Sequence, residues 1–500
     1  MIFSSITFIF LFLPILLFGY FVIRPGFRNL FLLLSSLLFY AWGETVYIII
    51  LVISILLNFV FALIIQKCNE TDNKKFGKLT FIISIVFNLG LLIIFKYLTF
   101  IVTNLNPVLS IIHLKLNSFE PRHLPLGISF FSFAAISYII DVSRGNVRAA
   151  KNLINFSLYS GFFPKLIAGP IVRYKDVSEQ IVSRGPDVAL FSSGVQRFII
   201  GLGKKVLIAN SLSVVVDKTF VLAPDYLTSG VAWLGIICYS LQIYFDFSGY
   251  SDMAIGLGRM FGFRFLENFD HPYIAKSIKE FWRKWHISLS SWFRDYLFLP
   301  LAYSVSSKLK QEKYLFIRTD KIIYVIAVSV TFLLCGFWHG ASWNFAIWGL
   351  WHGCFLAFEQ VWFGKVLKKF WVPLKHVYVI IVLVIGWVFF KTENIFNAFI
   401  FLKSMFGFSH ATNEYFFQQF FDNKLLIAMI FGIIFATPVR SYLKNLYVRF
   451  IETGKMSVLS YKIASTIIPF VYLLSLSLIL FLSSTFLAMG TNKSFIYFKF

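Results

Sequence analysis

Long apolar runs separated by short polar connections dominate the chain. Five of the longest contain almost no charge and cover residues 4–23, 46–65, 79–94, 322–338 and 463–481. A helix that crosses the hydrocarbon core of a membrane needs about 20 such residues. Several other runs are shorter or interrupted. The pattern therefore predicts an all-α, polytopic membrane protein with roughly ten to twelve transmembrane helices.

The first apolar run is predicted to be a membrane span and not a signal peptide. A signal peptide carries its basic residues before the apolar stretch. Here Arg24 and Arg28 follow the stretch, and no basic residue precedes it. No internal repeat or Gly/Ser-rich linker divides the rest of the sequence, so a single membrane domain covering residues 1–500 is expected.

Two stretches are too polar to be simple spans. Residues 267–294 interleave charged side chains with Phe and Trp, which is typical of an amphipathic helix at the interface or of a re-entrant helix inside the protein. Residues 304–321 are basic and are predicted to form a solvated loop. The mostly apolar stretch 322–363 that follows is interrupted at residues 336–340.

Composition and charge agree with a membrane protein. Of 500 residues, 58% are hydrophobic, 20% aromatic and only 14% charged, whereas about a quarter of the residues in a soluble protein are charged. The net charge of +23 comes mostly from basic residues in the short connections, which set membrane orientation. We therefore expect membrane lipid, and no nucleic acid, around this chain. Placing the basic groups at residues 24–28, 67–78 and 144–151 in the cytoplasm puts the N-terminus outside.

The sequence carries no recognisable metal or nucleotide motif. The four cysteines lack the spacing of a metal site or a disulfide framework. An HExxH metal motif, a phosphate-binding loop and a GxSxG turn are also absent. The glycines of residues 256–262 resemble a dinucleotide-binding motif only superficially, because they lack the preceding strand and the βαβ unit that such a site requires. We therefore predict no metal and no tightly bound cofactor.

His339 is the strongest candidate for a catalytic residue. Gly336 and Gly340 allow close backbone approach beside it, and Trp338 and Trp343 offer flat walls for a substrate. Neutral imidazole can take a proton from a hydroxyl near neutral pH, and an ionisable group inside a membrane protein usually lines a cavity. Two interpretations stay open from these residues: a catalytic base, or a buried histidine bonded to a backbone carbonyl.

A second histidine and a polar helix face also suggest function. His286 follows Trp285, and helical spacing would place it one turn beyond Trp282. It is either a second polar group at a reaction centre or part of an interfacial aromatic–basic helix. Asp246 and Tyr250 are four residues apart and should share one helix face. The buried acids here should be paired, so they either orient a histidine, line a sugar path or form an internal structural network.

The other histidines have weaker contexts. His352 repeats the Trp-His-Gly pattern of His339 but would not share its face in an unbroken helix, so we expect a structural role. No comparable context surrounds the remaining histidines, which are His113, His123, His271, His376 and His410.

Several blocks resemble the membrane-bound O-acyltransferase family, and more narrowly its alginate O-acetyltransferase branch. The signature block is YFDFSGYSDMAIGLGRMFGFRFLENFDHPYIAKSIKEFWRKWHISLSSWFRDYLFLP, residues 244–300. A second block is CGFWHGASWNFAIWGLWHG, residues 335–353, and two others are PLGISFFSFAAISYIIDVSRG (125–145) and KLIAGPIVR (165–173). The ending SFIYFKF (494–500) is also similar. Together the blocks cover about a quarter of the chain, with a signature core at about 125–363.

The resemblance implies a ring of helices around a central tunnel, with His339 as the essential catalytic histidine and His286 as its polar companion. It implies that an acyl group, expected to be acetyl, moves across the bacterial cytoplasmic (inner) membrane for O-acetylation of an extracytoplasmic polysaccharide, alginate-like or peptidoglycan. The expected donor is acetyl-coenzyme A, or an acyl carrier, on the cytoplasmic side. A periplasmic or extracellular acetyltransferase is the expected partner. We place Asp246, Tyr250, Trp338 and Trp285 in the substrate-binding set.

Three rival functions are considered. The D-alanyl transfer protein of teichoic acid modification belongs to the same family, but the length and the alginate-branch blocks count against it. A polysaccharide or lipid exporter would be expected to show repeated halves, which this sequence lacks. In a non-catalytic membrane scaffold, His339 and His286 would be replaceable.

Overall fold

The chain folds almost entirely into helices. A computed structural model describes residues 2–114, 116–117, 123–314, 317–409, 411, 415–452, 458–490 and 495–496. The α-helices are α1 (Leu13–Val22), α2 (Arg28–Gly43), α3 (Ile48–Glu70), α4 (Lys74–Leu92), α5 (Leu98–Leu109), α6 (Ile128–Ser143), α7 (Leu153–Gly161), α8 (Phe163–Leu166), α9 (Tyr174–Ser183), α10 (Val188–Gly203), α11 (Asn210–Thr219), α12 (Ser229–Met260), α13 (Ile278–Lys284), α14 (Ile287–Phe293), α15 (Leu299–Lys308), α16 (Thr319–His339), α17 (Trp343–Phe358), α18 (Gly364–Lys369), α19 (Val372–Lys391), α20 (Ile395–Met405), α21 (Asn423–Phe435), α22 (Val439–Glu452) and α23 (Val458–Ala488).

Short irregular turns of helix and one small hairpin complete the described fold. The hairpin pairs β1 (Lys313–Tyr314) antiparallel with β2 (Ile317–Arg318). The 3₁₀ turns are Pro25–Phe27, Ser110–Ile112, Pro224–Tyr226, Pro272–Ile274 and Phe417–Phe420. The π-helical segments are Phe8–Phe12, Ile93–Tyr97, Lys204–Ala209, Arg294–Phe298 and Glu359–Phe363.

The prediction of an all-α polytopic membrane protein is confirmed. Among the described residues, seven helices are long and apolar enough to cross a membrane. They are Ile48–Glu70, Lys74–Ile112, Val188–Thr219, Ser229–Met260, Thr319–His339, Val372–Lys391 and Thr466–Ala488. Four shorter apolar helices are Phe8–Val22, Ile128–Ser143, Ile395–Met405 and Asn423–Phe435. The predicted count of ten to twelve needs these shorter helices to cross as well, and it stays a prediction.

α12 lies at the centre of the packing. It contacts α10, α11, α19, α20 and α21, and most of its residues are buried. The approach of α10 is close because glycines meet at the crossing. A Cβ on Gly201 would lie 2.6 Å from the carbonyl oxygen of Gly249, and a Cβ on Gly249 would lie 2.8 Å from that of Gly201. Small residues at such crossings let helix backbones pack without a gap.

The predicted break in the stretch 322–363 is confirmed. α16 ends at His339, Gly340 is extended, and α17 begins at Trp343. The two helices then pack against each other. An added Cβ on Gly336 would collide with the carbonyl of Phe345, and one on Gly349 would collide with that of Phe332. The glycines therefore fix how closely α17 returns along α16.

The single helix predicted near residues 267–294 is wrong. Residues 261–277 are mostly irregular, and two short helices, α13 and α14, follow. Trp285 is extended and His286 is left-handed, with φ 45°. Helical spacing therefore does not relate His286 to Trp282. The break is stabilised by Asn268, whose backbone carbonyl accepts from the Ile287 amide at 2.9 Å.

The basic stretch 304–321 is more ordered than predicted. α15 continues through Lys308, and the hairpin of β1 and β2 follows before α16 begins at Thr319. The Thr319 amide donates to the Glu312 carbonyl at 2.9 Å, which closes the base of the hairpin.

Candidate active site

His339 is placed by the end of a long helix. It is the last residue of α16 and only 3% exposed. Its imidazole packs edge-on against three rings, with centroid distances of 4.8 Å to Trp338, 4.9 Å to Trp348 and 5.1 Å to Phe390. Aromatic walls on several sides limit the rotamers that this ring can adopt.

Two side chains from another span hold the end of α16. The Lys96 ammonium donates to the carbonyl of Trp338 at 2.5 Å and to that of His339 at 3.3 Å. The Tyr97 hydroxyl donates to the Phe337 carbonyl at 2.8 Å. The last carbonyls of a helix have no partner within the helix, so these contacts satisfy three of them. Lys96 and Tyr97 lie in the π-helical segment Ile93–Tyr97.

His286 is placed by a long-range hydrogen-bond network centred on Asn268. The side chains that form it, those of Asn268, His286, Ser288 and Ser251, are each 1% exposed. The Asn268 side-chain oxygen accepts from the Ser288 amide at 3.2 Å and from the Ser288 hydroxyl at 2.9 Å, and it lies 3.2 Å from His286 Nδ1. The Asn268 amide nitrogen donates to the Ser251 hydroxyl on α12 at 3.0 Å. The Ile171 amide donates to the Ser288 hydroxyl at 3.0 Å.

The network assigns the proton on neutral His286. The Ser288 amide can only donate, so the Asn268 atom that faces it is the carbonyl oxygen. The same oxygen faces His286 Nδ1, which must therefore carry hydrogen. In the neutral ring, Nε2 is then the nitrogen with an acceptor lone pair. Asn268 thus sets both the position and the tautomer of His286.

Trp338 joins the two histidines. Its ring centroid lies 4.8 Å from that of His339 and 6.1 Å from that of His286. The three rings form a continuous cluster inside the protein.

A polar cavity of about 980 Å³ begins beside His339. Gly340, the next residue in the chain, and Phe390, which contacts the imidazole, both line it. Charged and amide side chains make up much of the remaining wall, namely Lys96, Asn104, Lys205, Asn210, Asp217, Gln242, Asp246, Lys391 and Glu393. A cavity with these walls can admit a hydroxyl-rich molecule or a polypeptide loop.

The cavity lies at helix ends remote from the basic connections. The span Lys74–Ile112 begins among basic residues and reaches the cavity at Thr103 and Asn104. α16 and α19 also begin beside basic segments, and their far ends lie at the cavity. In these three helices the cavity therefore lies at the end opposite the basic segment.

Asp246 and Tyr250 share a helix face, as predicted, and both meet the C-terminal segment. Asp246 forms a buried ion pair with Lys205 at 2.5 Å and accepts from the Ile496 amide at 2.8 Å. Tyr250 is stacked between Phe3, at 4.9 Å, and Phe495, at 4.6 Å. Asp246 lines the cavity, whereas Tyr250 is packed in the aromatic core. Residues 494 and 497–500 of the family-like ending lie outside the described residues.

Trp285 and His352 occupy the aromatic core. Trp285 is 1% exposed, and its ring lies 5.1 Å from both Phe269 and Trp387. His352 is fully buried, 5.2 Å from Trp282 and 5.2 Å from Trp348. Trp348 therefore contacts both His352 and His339. His410 lies outside the described residues.

Sequence reasoning missed Lys96, Lys205 and Asn268. Lys96 offered a signal, because it is a lone charge at the end of an apolar run, and such charges are expensive inside a membrane. Lys205 pairs with a residue 41 positions away, which spacing does not reveal. Asn268 offered no signal, because its partners depend on an irregular segment. Among the described residues, no group of three or more His, Cys, Asp or Glu could hold a metal ion.

Comparisons with known proteins agree with this architecture. A family model described as the membrane-bound O-acyltransferase family matches residues 131–402. A probable alginate O-acetylase, AlgI, of Pseudomonas aeruginosa is 42% identical over 82% of this chain and 75% of its own length. A peptidoglycan O-acetyltransferase of Helicobacter pylori is 33% identical over 81% of this chain and 80% of its own.

The rival family member is more distant. A teichoic acid D-alanyltransferase of Bacillus subtilis is 29% identical over 53% of this chain and 68% of its own length. The predicted family resemblance is confirmed, and with it an acyltransferase activity and a multi-pass location in a membrane. The chain belongs to the membrane-bound O-acyltransferase family.

Proposed function

We propose that this protein transfers an acetyl group from acetyl-coenzyme A on the cytoplasmic side to a hydroxyl on the extracytoplasmic side, for O-acetylation of a polysaccharide. The observation that carries the proposal is the position of His339 at the end of α16, beside a polar cavity that Gly340 and Phe390 line. A bacterial cytoplasmic membrane is the membrane in which donor and acceptor are separated in this way.

His339 acts as the general base. Its imidazole takes the proton of the acceptor hydroxyl as the oxygen attacks the thioester carbonyl. The tetrahedral intermediate then expels the thiolate, which takes up the proton held on His339. One ester and one free thiol are formed, and the histidine returns to its neutral state. The aromatic walls around His339 exclude water and so limit hydrolysis of the thioester.

His286 acts as the polar companion. The tautomer set by Asn268 leaves Nε2 as a hydrogen-bond acceptor, so this nitrogen can orient a hydroxyl or the amide N–H of a pantetheine arm. Trp338 packs near both imidazoles, with its ring centroid 4.8 Å from that of His339 and 6.1 Å from that of His286, and it forms a wall for the acyl group. Asp246, which lines the cavity, contacts the acceptor. Trp285 and Tyr250 support these groups from the aromatic core.

Alginate-like polysaccharide and peptidoglycan are the two proposed acceptor classes. Two relatives that match this chain over at least three quarters of their own length are named for alginate O-acetylation and peptidoglycan O-acetylation. We propose a periplasmic acetyltransferase as partner. It either brings the polysaccharide to the cavity or offers a serine that takes the acetyl group onward. A volume of about 980 Å³ admits either a few sugar units or a short protein loop.

The decisive test is the amount of ester-linked acetate in purified cell-envelope and secreted polysaccharide. It is compared between a deletion strain and the same strain carrying wild-type protein or His339→Ala at matched membrane levels. We expect loss of acetate in the deletion strain, with recovery by wild type and not by His339→Ala. The fraction that loses acetate identifies the acceptor.

Two outcomes would change the proposal. Unchanged acetate in the deletion strain would point to another acyl group, and D-alanine ester would be measured in the same samples. Full recovery by His339→Ala would remove this residue from the mechanism while leaving the acetyl transfer in place.

A further inference from the structure

We propose that Lys96 is a catalytic residue whose ammonium stabilises the negative charge that forms on the thioester carbonyl oxygen during acyl transfer. The inference rests on the proposed function. It assigns a role to the Lys96 ammonium. This residue lies inside the span Lys74–Ile112 and outside the sequence blocks that resemble the family.

The first argument is the absence of a neutralising acid. A charge inside a membrane protein is costly and normally pairs with an opposite charge. Other lysines beside this cavity follow that rule. Lys205 pairs with Asp246 at 2.5 Å, and Lys391 lies 3.7 Å from Asp217. Among the described residues, no ion pair includes Lys96, so its positive charge is not cancelled by a carboxylate.

The second argument is where the charge is held. The Lys96 ammonium is fixed against the carbonyls of Trp338 and His339, at the end of α16. This is the helix end with partial negative charge, which offsets part of the cost of burial. An ammonium has three N–H donors, and two of them serve these carbonyls. Because Lys96 also lines the cavity, the third donor is available to a molecule bound there.

The third argument is chemical need. When the acceptor oxygen bonds to the thioester carbon, the carbonyl π electrons move onto its oxygen. That negative charge persists until the carbon–sulfur bond breaks and the carbonyl re-forms. A fixed cation in a site of low dielectric stabilises such an oxyanion strongly. His339 is occupied with the acceptor proton, and Lys96 is the cation that touches the His339 backbone.

A purely structural role for Lys96 is the competing explanation. The residue also completes the hydrogen bonds of the last turn of α16, and any donor of the right length could do the same. The test must therefore separate positive charge from hydrogen-bond donation. Alkylation of a cysteine at this position makes that separation, because the cavity gives reagents access to residue 96.

The experiment uses membranes of the deletion strain that carry Lys96→Cys. One sample is treated with 2-bromoethylamine, which rebuilds a lysine-like ammonium. The other is treated with 2-bromoethanol, which adds an uncharged group of equal length that still donates a hydrogen bond. Transfer of radiolabelled acetate from acetyl-coenzyme A into alkali-labile polysaccharide ester is then measured. Wild-type membranes and Lys424→Cys membranes, treated identically, control for the native cysteines and for damage to partner proteins.

We expect Lys96→Cys and Lys96→Met to lower the rate by about 100-fold or more, the range for loss of one oxyanion donor, with KM for acetyl-coenzyme A changed less than about threefold. 2-Bromoethylamine should restore at least a tenth of the wild-type rate, and 2-bromoethanol should not. Equal recovery with both reagents, or a correctly inserted Lys96→Met that keeps a third of the rate, overturns the proposal. If Lys96→Met does not insert, Lys96→Gln replaces it under the same criterion.

The two proposals fail separately. If His339→Ala membranes are as active as wild type, the catalytic assignment of the proposed function is lost whatever Lys96 does. If His339→Ala is inactive and the Lys96 variants are not impaired, only the role of Lys96 is rejected.

Discussion

The two histidine segments reach the same aromatic cluster by different physical means. His339 closes a 21-residue helix, and its surroundings follow from that helix, from the glycines beside it and from the return of α17. His286 sits in a left-handed break between two seven-residue helices. Its position depends on Asn268, 18 residues earlier in the chain.

The difference separates local from long-range positioning. The His339 segment is positioned mainly by helix packing, which tolerates little change of volume, and Lys96 and Tyr97 add hydrogen bonds to its last carbonyls. The His286 segment is stabilised by a few hydrogen bonds, each of which has a specific donor and acceptor. Volume changes should therefore impair the first segment, and loss of single hydrogen bonds should impair the second.

The largest effect is expected from the histidines themselves. His339→Ala should lower acetyl transfer by about 10² to 10⁴-fold, because general-base catalysis is lost. His286→Ala should cost about 10²-fold, since misplacement of the reactants costs about this much. The rates are measured as acetate transferred per inserted protein. The double variant should have about the same rate as His339→Ala alone, because the rate losses caused by residues that act as a unit do not add. Additive losses would contradict a shared reaction centre.

Asn268→Ala tests the long-range half of the comparison. It removes the acceptor of the His286 Nδ1 hydrogen and the partner of the Ser288 amide, so His286 should lose its position and tautomer. We expect a loss of rate of about 10²-fold. The matched control is Asn88→Ala, which removes a buried asparagine pair with Asn58 between α3 and α4. The control should lower the melting temperature but not the rate per folded protein, and equal rate losses in both variants would count against a specific role.

Gly349→Ala tests the packing half. The added methyl would collide with the Phe332 carbonyl and lie 3.2 Å from the Gly336 Cα, so α17 must move away from α16. Overpacking of this kind costs about 1–3 kcal/mol, and the melting temperature of the purified protein should fall. Gly90→Ala is the control, because its Cβ would meet nothing within 4 Å. It should be neutral or stabilising by up to about 1 kcal/mol. A similar response of the two variants would show that the helix crossing is not tight.

Ser251→Ala should give the smallest effect. It removes only the acceptor for the Asn268 amide nitrogen, and the oxygen that faces His286 keeps its contacts. A single buried hydrogen bond is worth about 1 kcal/mol, or somewhat more when one partner is left unsatisfied. We expect less than about a tenfold loss of rate and a small fall in melting temperature. A loss as large as that of Asn268→Ala would mean that α12, and not Asn268, positions His286.

Much of the fold and part of the site could be predicted from sequence. The apolar runs predicted the membrane helices, and the interruption at Gly336–Gly340 predicted the break after His339. The paired state of Asp246 followed from its apolar context. The prediction of a continuous helix through His286 was wrong. The helical spacing of charged and aromatic residues gives no information about the Asn268 contacts that stabilise the break between α13 and α14.

The sequence by itself determined that this chain is a helical membrane protein of the O-acyltransferase family, and that His339 lies in an interrupted apolar stretch. These properties depend on local composition and on contiguous motifs, which can be recognised without knowledge of distant contacts. Tertiary structure decided which groups surround that histidine. Lys96, Asn268 and the pair of Lys205 with Asp246 are brought to the cavity and the ring cluster by helix crossings and by an irregular segment. Such contacts join residues far apart in the chain, and no local period encodes them.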